Sequence, residues 1–442
     1  MQNILLIGAG RSASSLIKYL LDNSSKEDWK IVIGDISAFH AQQKANHHPH
    51  AKGIAFDVND EPQRMKEIQA ADLVISLLPA HLHIVVATDC VHFGKHLLTA
   101  SYVSKEIAEL NDAAKASDIL LLNETGLDPG IDHMSAMQLI DRIKAQGGEL
   151  TVFKSYTGGL IAPESNDNPW RYKFTWNPRN VVLAGQGTAC YIENAKLKYV
   201  PYSRLFSQIE TIKIEGHENF EGYFNRDSLS YRASYGLENI PTMIRGTLRN
   251  IGFCAAWNVF VKLGWTDDSY KISNAEDLSY AQLMEAYLPK GEGAVKQKLA
   301  AFIQEDVNSE IIKKIDWLGV FNEDKVKLTN VSPAEILQDV LERKWALKEN
   351  DMDMIVMHHQ IEYTLKGKHK KVFSSLVVKG TDSIHTAMAK TVGLPIGIAA
   401  RLILSGKITA RGVQIPTLKE LYEPILEELK NNGIVFSEKE SE

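Results

Sequence analysis

The sequence predicts an α/β protein: a doubly wound parallel sheet, an α+β domain for substrate binding and dimerisation, and an all-helical insertion. Three observations carry this. Short apolar runs alternate with amphipathic stretches over 1–125, as expected of strands buried on both faces of a parallel sheet. The first run ends in a glycine turn that opens a helix. Beyond 148 the alternation yields to longer strands and loops, and over 266–350 to helical periodicity. The domain boundaries read 1–125 with C-terminal helices at about 390–436, then 126–265 with 351–389, and 266–350.

Residues 3–7 (NILLI) are the first strand, GAGRSA follows at 8–13, and SSLIKYLLDN places Leu16, Ile17, Leu20 and Leu21 on one helix face. In this spacing Gly8 permits a tight turn, Gly10 lets the backbone approach a pyrophosphate, and Ala13 lets the helix pack close to the sheet. Arg11 and Ser12 lie at the helix N-terminus that faces the phosphates. This is a Rossmann-type dinucleotide site. The second run, KIVIGD, ends at Asp35, followed by Ile36. An acid there accepts the adenosine ribose hydroxyls and repels a 2′-phosphate, which predicts NAD, with NADP as the alternative. Asp35 also reads as a cap on the next helix. GIAFDV (53–58) carries Asp57 and Val58 to the adenine edge. DLVISLLP (72–79) leads into a loop where Ser76, Leu77, Leu78 and Pro79 run beside the cofactor. HLLTAS (96–101) and ILLLNE (119–124) complete six strands.

Strand six enters ETGLDPGIDHMSAMQLIDRIKAQGG (124–148), a loop at the carboxyl edge of the sheet, where α/β proteins bind ligands. Leu127 and Asp128 lie in that loop; Asp132 reads as a cap on the following helix. ELTVFKSYTGGL (149–160) is strand-like, KFTWNP (173–178) and NVVLAG (180–185) follow, and IETIKIEG (209–216) is a further strand. NAEDLSYAQLMEAYL, AVKQKLAAFIQ, EIIKKIDWLGV and PAEILQDVLERKWAL make the helical insertion. DMIVMHHQIEYTL and KKVFSSLVVKG form a hairpin around Gly367. TAMAKTVGLPIGIAARLIL and LKELYEPILEEL fold back on the first domain, and the tail after Phe436 is expected to fray.

The composition is that of an ordinary globular chain, and 442 residues suit two to three domains. A net charge of −6 with no basic run argues against nucleic-acid binding. The three cysteines are far apart, predicting a reducing compartment and no disulfide. The amino-terminal apolar run is too short for a signal peptide, and no 18-residue apolar stretch is read, which predicts no membrane partner and a cytoplasmic location. His47-His48-Pro49-His50 lacks partners at ligand spacing, so no metal is expected. His81-x-His83 reads as a loop pair, His358 and His359 face opposite sides of a strand, and His133 makes a helix-start hydrogen bond.

The blocks TASYVS (99–104), NETGLDPGIDHM (123–134), SYTGGLIAPESNDNPWRYKFTWNPR (155–179), NRDSLSYR (225–232) and MIRGTLRNIGF (243–253) resemble the saccharopine dehydrogenase family, most of all its L-glutamate-forming branch, the saccharopine reductases. The resemblance runs from Gly8 to the helices near 425. It implies a homodimer and the reaction saccharopine + NAD(P)+ + water ⇌ L-glutamate + L-2-aminoadipate 6-semialdehyde, in lysine metabolism. By position, Ser101 and Tyr102 match the pair that touches cofactor and substrate, and Asp128 the acidic substrate contact. Thr175 matches a place near the cofactor; Arg226 and Arg245-Gly246-Thr247 match carboxylate-binding segments. Asp128 and Tyr102 are the candidates for proton transfer, or only orient the substrate. Arg249 reads as a third guanidinium or a structural ion-pair partner. The family's reductases commonly use NADP, with an arginine near the end of the second strand; Asp35 in this region favours NAD. Fungal members carry a cysteine where this chain has Thr157, so a mechanism needing that thiol is excluded. The competing readings are a related amine dehydrogenase, such as lysine 6-dehydrogenase or carboxynorspermidine synthase, and a non-catalytic NAD-binding protein.

Overall fold

The computed structural model describes residues 1–441, the side chain of Arg11 excepted, so the expectation placed on that side chain lies outside the described residues. The amino-terminal apolar run is β1 (Gln2–Ile7), enclosed from Ile4 onward. A 3-10 turn at Arg11–Ala13 leads into α1 (Ser14–Ser24). There follow β2 (Trp29–Asp35), α2 (Ala38–Ala45), β3 (Ala51–Ala55), α3 (Glu61–Ala70), β4 (Leu73–Ser76), α4 (His83–Phe93), β5 (His96–Thr99), α5 (Lys105–Ala108), α6 (Asn111–Ala116), β6 (Leu120–Leu122) and α7 (Ile131–Ala145). The middle of the chain forms β7 (Glu149–Ile161), α8 (Pro178–Val182), β8 (Thr188–Glu193), β9 (Lys196–Pro201), α9 (Tyr202–Leu205), β10 (Ile209–Ile212), β11 (Phe220–Phe224), β12 (Thr242–Asn250) and α10 (Phe253–Leu263). Four helices come next, α11 (Tyr280–Ala286), α12 (Val295–Ile303), α13 (Glu310–Trp317) and α14 (Pro333–Lys344). The chain closes with β13 (Asp353–Leu365), β14 (Lys368–Lys379), α15 (Ala387–Leu404), β15 (Gly412–Gln414), α16 (Lys419–Asn431) and β16 (Ser437–Ser441).

Contacts divide the chain into two units: Met1–Leu150 with Thr364–Lys368 and Leu376–Ser437, and Thr151–Tyr363 with His369–Ser375 and the residues from Glu438 on. Among the described residues, the first unit holds a seven-stranded sheet in the order β15-β6-β5-β4-β1-β2-β3, every pairing parallel. Strand order reverses at β1, flanked by β2 (Ile4 opposite Ile31) and β4 (Ile4 opposite Leu73). The six predicted strands are all there. The seventh, Gly412–Gln414, is three residues long, too short to show a period in sequence.

The last helices pack on this sheet because α15 carries glycines where it crosses α1. A Cβ on Gly393 would stand 2.7 Å from the Leu16 nitrogen, and one on Gly397 2.6 Å from the Tyr19 ring. The reading that no 18-residue apolar stretch exists needs correction: α15 is long and apolar enough to cross a membrane. Within the unit it is a core helix, 78% buried. Helix α7, placed by the sequence in the second domain, lies with the first unit, where the Tyr422 hydroxyl of α16 donates to Asp141 at 2.6 Å.

The second unit is built on a nine-stranded sheet, β10-β11-β12-β7-β13-β14-β16, with the β8–β9 hairpin joined through β12. The helical stretch α11–α14 belongs to this unit. Two local expectations change. The run 180–185 begins in a helix, not a strand: Pro178 pre-sets the first turn and the Asn177 side chain accepts the Arg179 N–H. The tail does not fray, because Ser437–Ser441 pairs along β14, whose edge would otherwise leave main-chain groups open, and Lys439 meets Glu215 at 3.0 Å. The three cysteines are free thiols.

Candidate active site

The candidate residues fall into two groups, one in each unit. In the first unit the glycine turn follows β1 as predicted. Gly8 takes φ +100, a conformation L side chains rarely adopt, and its N–H donates to Gly34 O at 2.8 Å. Around Gly10 a Cβ would meet nothing within 4 Å, so the backbone there is open to an approaching group. Ala13 is fully buried, in keeping with close helix–sheet packing. Asp35 accepts from two amides: the Ala9 N–H of the glycine turn at 2.9 Å and the Ser37 N–H at 3.0 Å. The cap on α2 is Ser37, not Asp35, since Ser37 accepts the His40 N–H. Beside Asp35, Ile36 is 77% exposed, an apolar surface ready to take a ring. Asp57 is exposed and accepts the Asn59 N–H at 2.9 Å, while the carbonyl of buried Val58 is engaged by Arg64. A turn with open backbone and a positioned carboxylate fits a dinucleotide. Arg11 apart, the residues that would hold it are Gly8, Gly10, Ser12, Ala13, Asp35 and Ile36, with Asp57 and Val58 at the adenine edge.

At the carboxyl edge, β5 and β6 release two loops that are stitched together. The Glu124 N–H donates to Ser101 O at 3.1 Å and the Thr125 N–H to Thr99 O at 3.1 Å. The Glu124 carboxylate accepts the Val103 N–H at 3.0 Å through one oxygen and meets His133 Nε2 at 2.8 Å through the other. Both side chains are buried. Glu124 thus ties the Ser101-Tyr102-Val103 segment to the first turn of α7. Tyr102 is half exposed; Asp128 is half-buried, next to buried Leu127. The loop that carries Asp128 is closed on itself: Gly126 N–H donates to Pro129 O at 3.0 Å and Asp132 N–H to Leu127 O at 3.1 Å. Gly130 takes φ +148, and a Cβ there would sit 2.1 Å from Gly126 O. Asp132 is not a helix cap. It lies inside α7 and accepts the Gly130 N–H at 2.6 Å, bracing the same loop.

At the end of β4 Ser76 is enclosed; in the loop beyond it Leu77 and Leu78 are part-buried and Pro79 is exposed. His83 is no loop histidine: it opens α4 and is enclosed against Ser76, Thr99 and Ser101. Burial, with His81 nearby, pushes its pKa down to about 4, so the ring is neutral at pH 7.

In the second unit β7 and β12 run parallel, Arg245 opposite Ser155 and Thr247 opposite Thr157. Paired side chains share a sheet face, so these four residues line one face, extended by Arg249 opposite Glu221 of β11. Arg245 is buried, its guanidinium 4.5 Å over the Tyr231 ring. The turn bearing Arg226 is clamped to it: Asn225 N–H donates to Arg245 O at 2.8 Å, and Arg245 N–H to Ser228 Oγ at 2.9 Å. Arg226 itself is exposed. Thr247 donates to Asn225 Oδ1 at 2.8 Å. The side-chain position of Gly246 is filled by the Tyr156 ring, which a Cβ would approach to 2.5 Å, so Gly246 offers a ligand its backbone only. Thr157 and Thr175 are buried, and their hydroxyls have no hydrogen-bond partner among the described residues. Among the described residues Arg249 has no ion-pair partner. It sits among the Tyr172, Phe253 and Tyr223 rings at 5.2–5.6 Å and donates to Leu248 O.

The sequence reading overlooked Glu124 and underrated His83. An acid two residues past the end of β6, nine residues before a histidine in the next helix, was the available signal for Glu124. His83 had none, since its partners come from two other elements. Among the described residues no three His, Cys, Asp or Glu side chains gather as a metal would need.

Comparison with known proteins matches residues 4–122 to the family model described as "Saccharopine dehydrogenase NADP binding domain" and residues 126–434 to "Saccharopine dehydrogenase C-terminal domain". A Schizosaccharomyces pombe protein named saccharopine dehydrogenase (NADP(+), L-glutamate-forming) is 34% identical over 99% of both chains. The Arabidopsis thaliana protein named alpha-aminoadipic semialdehyde synthase is 33% identical over 99% of this chain, which spans 44% of that longer protein. The apo saccharopine dehydrogenase (L-Glu forming) of Saccharomyces cerevisiae superposes with a TM-score of 0.91 at 32% identity, covering 100% of both chains. A Legionella pneumophila homospermidine synthase, at 10% identity and a TM-score of 0.58 over 100% of this chain and 91% of that one, shares the fold.

Proposed function

The chain belongs to the saccharopine dehydrogenase family, and on that premise we propose that it interconverts saccharopine and water with L-glutamate and L-2-aminoadipate 6-semialdehyde, using a nicotinamide dinucleotide. The observation that carries the reading is the stitched pair of loops at the carboxyl edge. Glu124 holds the Ser101-Tyr102 segment and the Asp128 loop in one piece, in the unit that bears the glycine turn. A bound dinucleotide would supply the acceptor for the hydride that leaves the carbon beside the secondary amine. The chain's residues do the rest. Asp128 and Tyr102 take up and return the proton of the amine as it becomes an imine, is hydrated and separates as glutamate. Arg226 and Arg245 engage carboxylates, for which planar guanidinium pairs are suited. Thr157 stands where fungal relatives are expected to carry a thiol, so a hydroxyl serves that position here.

The relatives' names carry NADP(+), which makes NADP the competing cofactor. Asp35 favours NAD: its carboxylate is fixed beside the glycine turn by two amides, where a 2′-phosphate would meet negative charge. The test is an assay of reduced-cofactor formation with saccharopine, run with NAD, with NADP, and with lysine in place of saccharopine. Turnover of saccharopine with NAD preferred is expected. Turnover of lysine alone would overturn the substrate, and equal use of both cofactors the reading of Asp35. Asp35→Arg is expected to shift preference toward NADP.

A further inference from the structure

His83, the first residue of α4, is 1% exposed, and its ring spans the ends of two neighbouring strands. Nδ1 faces Ser76 Oγ at 2.9 Å; Nε2 faces Ser101 Oγ at 2.7 Å and Thr99 Oγ1 at 3.3 Å. Ser101 is held twice more, its N–H donating to Thr99 Oγ1 at 3.2 Å and its carbonyl accepting from Glu124 at 3.1 Å. Its backbone is therefore fixed, and the ring decides which way its hydroxyl points. A neutral imidazole has one N–H and one acceptor nitrogen. Two hydroxyl oxygens converge on Nε2. One N–H can be shared between two acceptors, whereas two hydroxyls cannot both donate well to one lone pair. Ser76 then donates to Nδ1, and the Ser101 oxygen, occupied by Nε2–H, leaves its own O–H to donate outward.

We propose that Ser76, His83 and Ser101 form a hydroxyl-orienting chain in which His83 is the positioning residue, held as the Nε2–H tautomer so that Ser101 presents a donor to the bound substrate. The inference deepens the saccharopine reading and rests on it. The ring's neutrality follows from its burial, which opposes a charged form.

The tautomer is read directly. Long-range 1H–15N spectra of 15N-histidine-labelled protein, with the His83 ring assigned by its loss in His83→Leu, are expected to show the neutral Nε2–H pattern. His83→Leu is expected to lower kcat with saccharopine about tenfold to a hundredfold with KM within about threefold. NADH affinity by fluorescence titration stays within about threefold of wild type. His83→Gln, whose amide N–H reaches toward Ser101, recovers kcat to within about fivefold of wild type. Adding Ser101→Ala to His83→Leu causes no loss beyond that of Ser101→Ala alone. Ser76→Ala, a smaller change, is expected to lower kcat about threefold to tenfold and to be equally silent on the Ser101→Ala background. An Nδ1–H ring, additive losses, or unchanged kcat in His83→Leu would overturn the proposal. A wild type inert toward saccharopine would overturn the substrate instead, and the tautomer alone then decides the chain.

Discussion

Asp128 lies on a loop braced by its neighbours: the Gly126 N–H donates to Pro129 O, the Asp132 N–H to Leu127 O, and the Asp132 carboxylate accepts the Gly130 N–H. Asp128→Ala is expected to reduce kcat/KM for saccharopine by about two orders of magnitude. A near-normal value would take Asp128 out of the mechanism. Buried histidines make a second prediction, about pH. His358 stacks on Phe373 and meets Ser375 Oγ through Nδ1 at 2.8 Å, and burial pushes its pKa from 6.5 to about 4. The folded state thus resists a proton that the unfolded chain accepts. The stabilisation is complete above pH 6.5, falls as pH drops through the window down to about 4, and levels off below it. For a shift of this size the loss is about 3 kcal/mol per histidine, and His83 adds a second of the same sign. Unfolding titrations in urea at stepped pH should show that slope, and it should be shallower in His358→Asn; an identical slope in the variant would assign the acid sensitivity to other groups.

The contact of α1 with α15 is set by glycine, and it lies behind the cofactor turn. A methyl group at Gly393 would push against the Leu16 backbone, which cannot rotate away. Gly393→Ala is expected to cost about 1–3 kcal/mol, the usual range for overpacking, and to weaken NADH binding, because α1 carries the turn that starts at Gly8. Differential scanning calorimetry and NADH titration check both; a Tm at or above wild type would show that the helices part without cost. Elements of this kind were legible where burial imposed a pattern. The apolar runs within the strands of the first sheet announce themselves, and α15 reads as a helix despite Pro395. β15 escaped because three residues hold no period, and α8 because Val181 and Val182 resemble a strand while Asn177 and Pro178 impose a helix start. The site followed the same rule. Glycine spacing and acidic strand ends are local and could be read. The Glu124–His133 pair left only a faint trace, an acid past a strand end nine residues before a histidine, and the His83 chain is made by side chains from separate elements that no spacing encodes.

At the scale of the molecule, the first unit is discontinuous: Met1–Leu150 is completed by Leu376–Ser437, with most of the second unit inserted between them. The core of the first unit is nevertheless shared, since β15 closes the sheet beside β6 and α15 covers α1. A ligand that binds the folded unit stabilises all that unfolds with it, by about 2.7 kcal/mol at a concentration of 100 times Kd. Hydrogen exchange that proceeds through cooperative opening must then slow in both chain segments at once. Saturating NADH is expected to slow exchange in β1, β2 and β4 and also in α15 and α16, although those helices lie hundreds of residues from the glycine turn. The measurement is exchange mass spectrometry with and without NADH, at a pH where exchange in these elements is limited by opening. Protection confined to the turn and β2, with α15 and α16 unchanged, would mean that the C-terminal helices open independently and that the unit is a docked pair rather than one cooperative body.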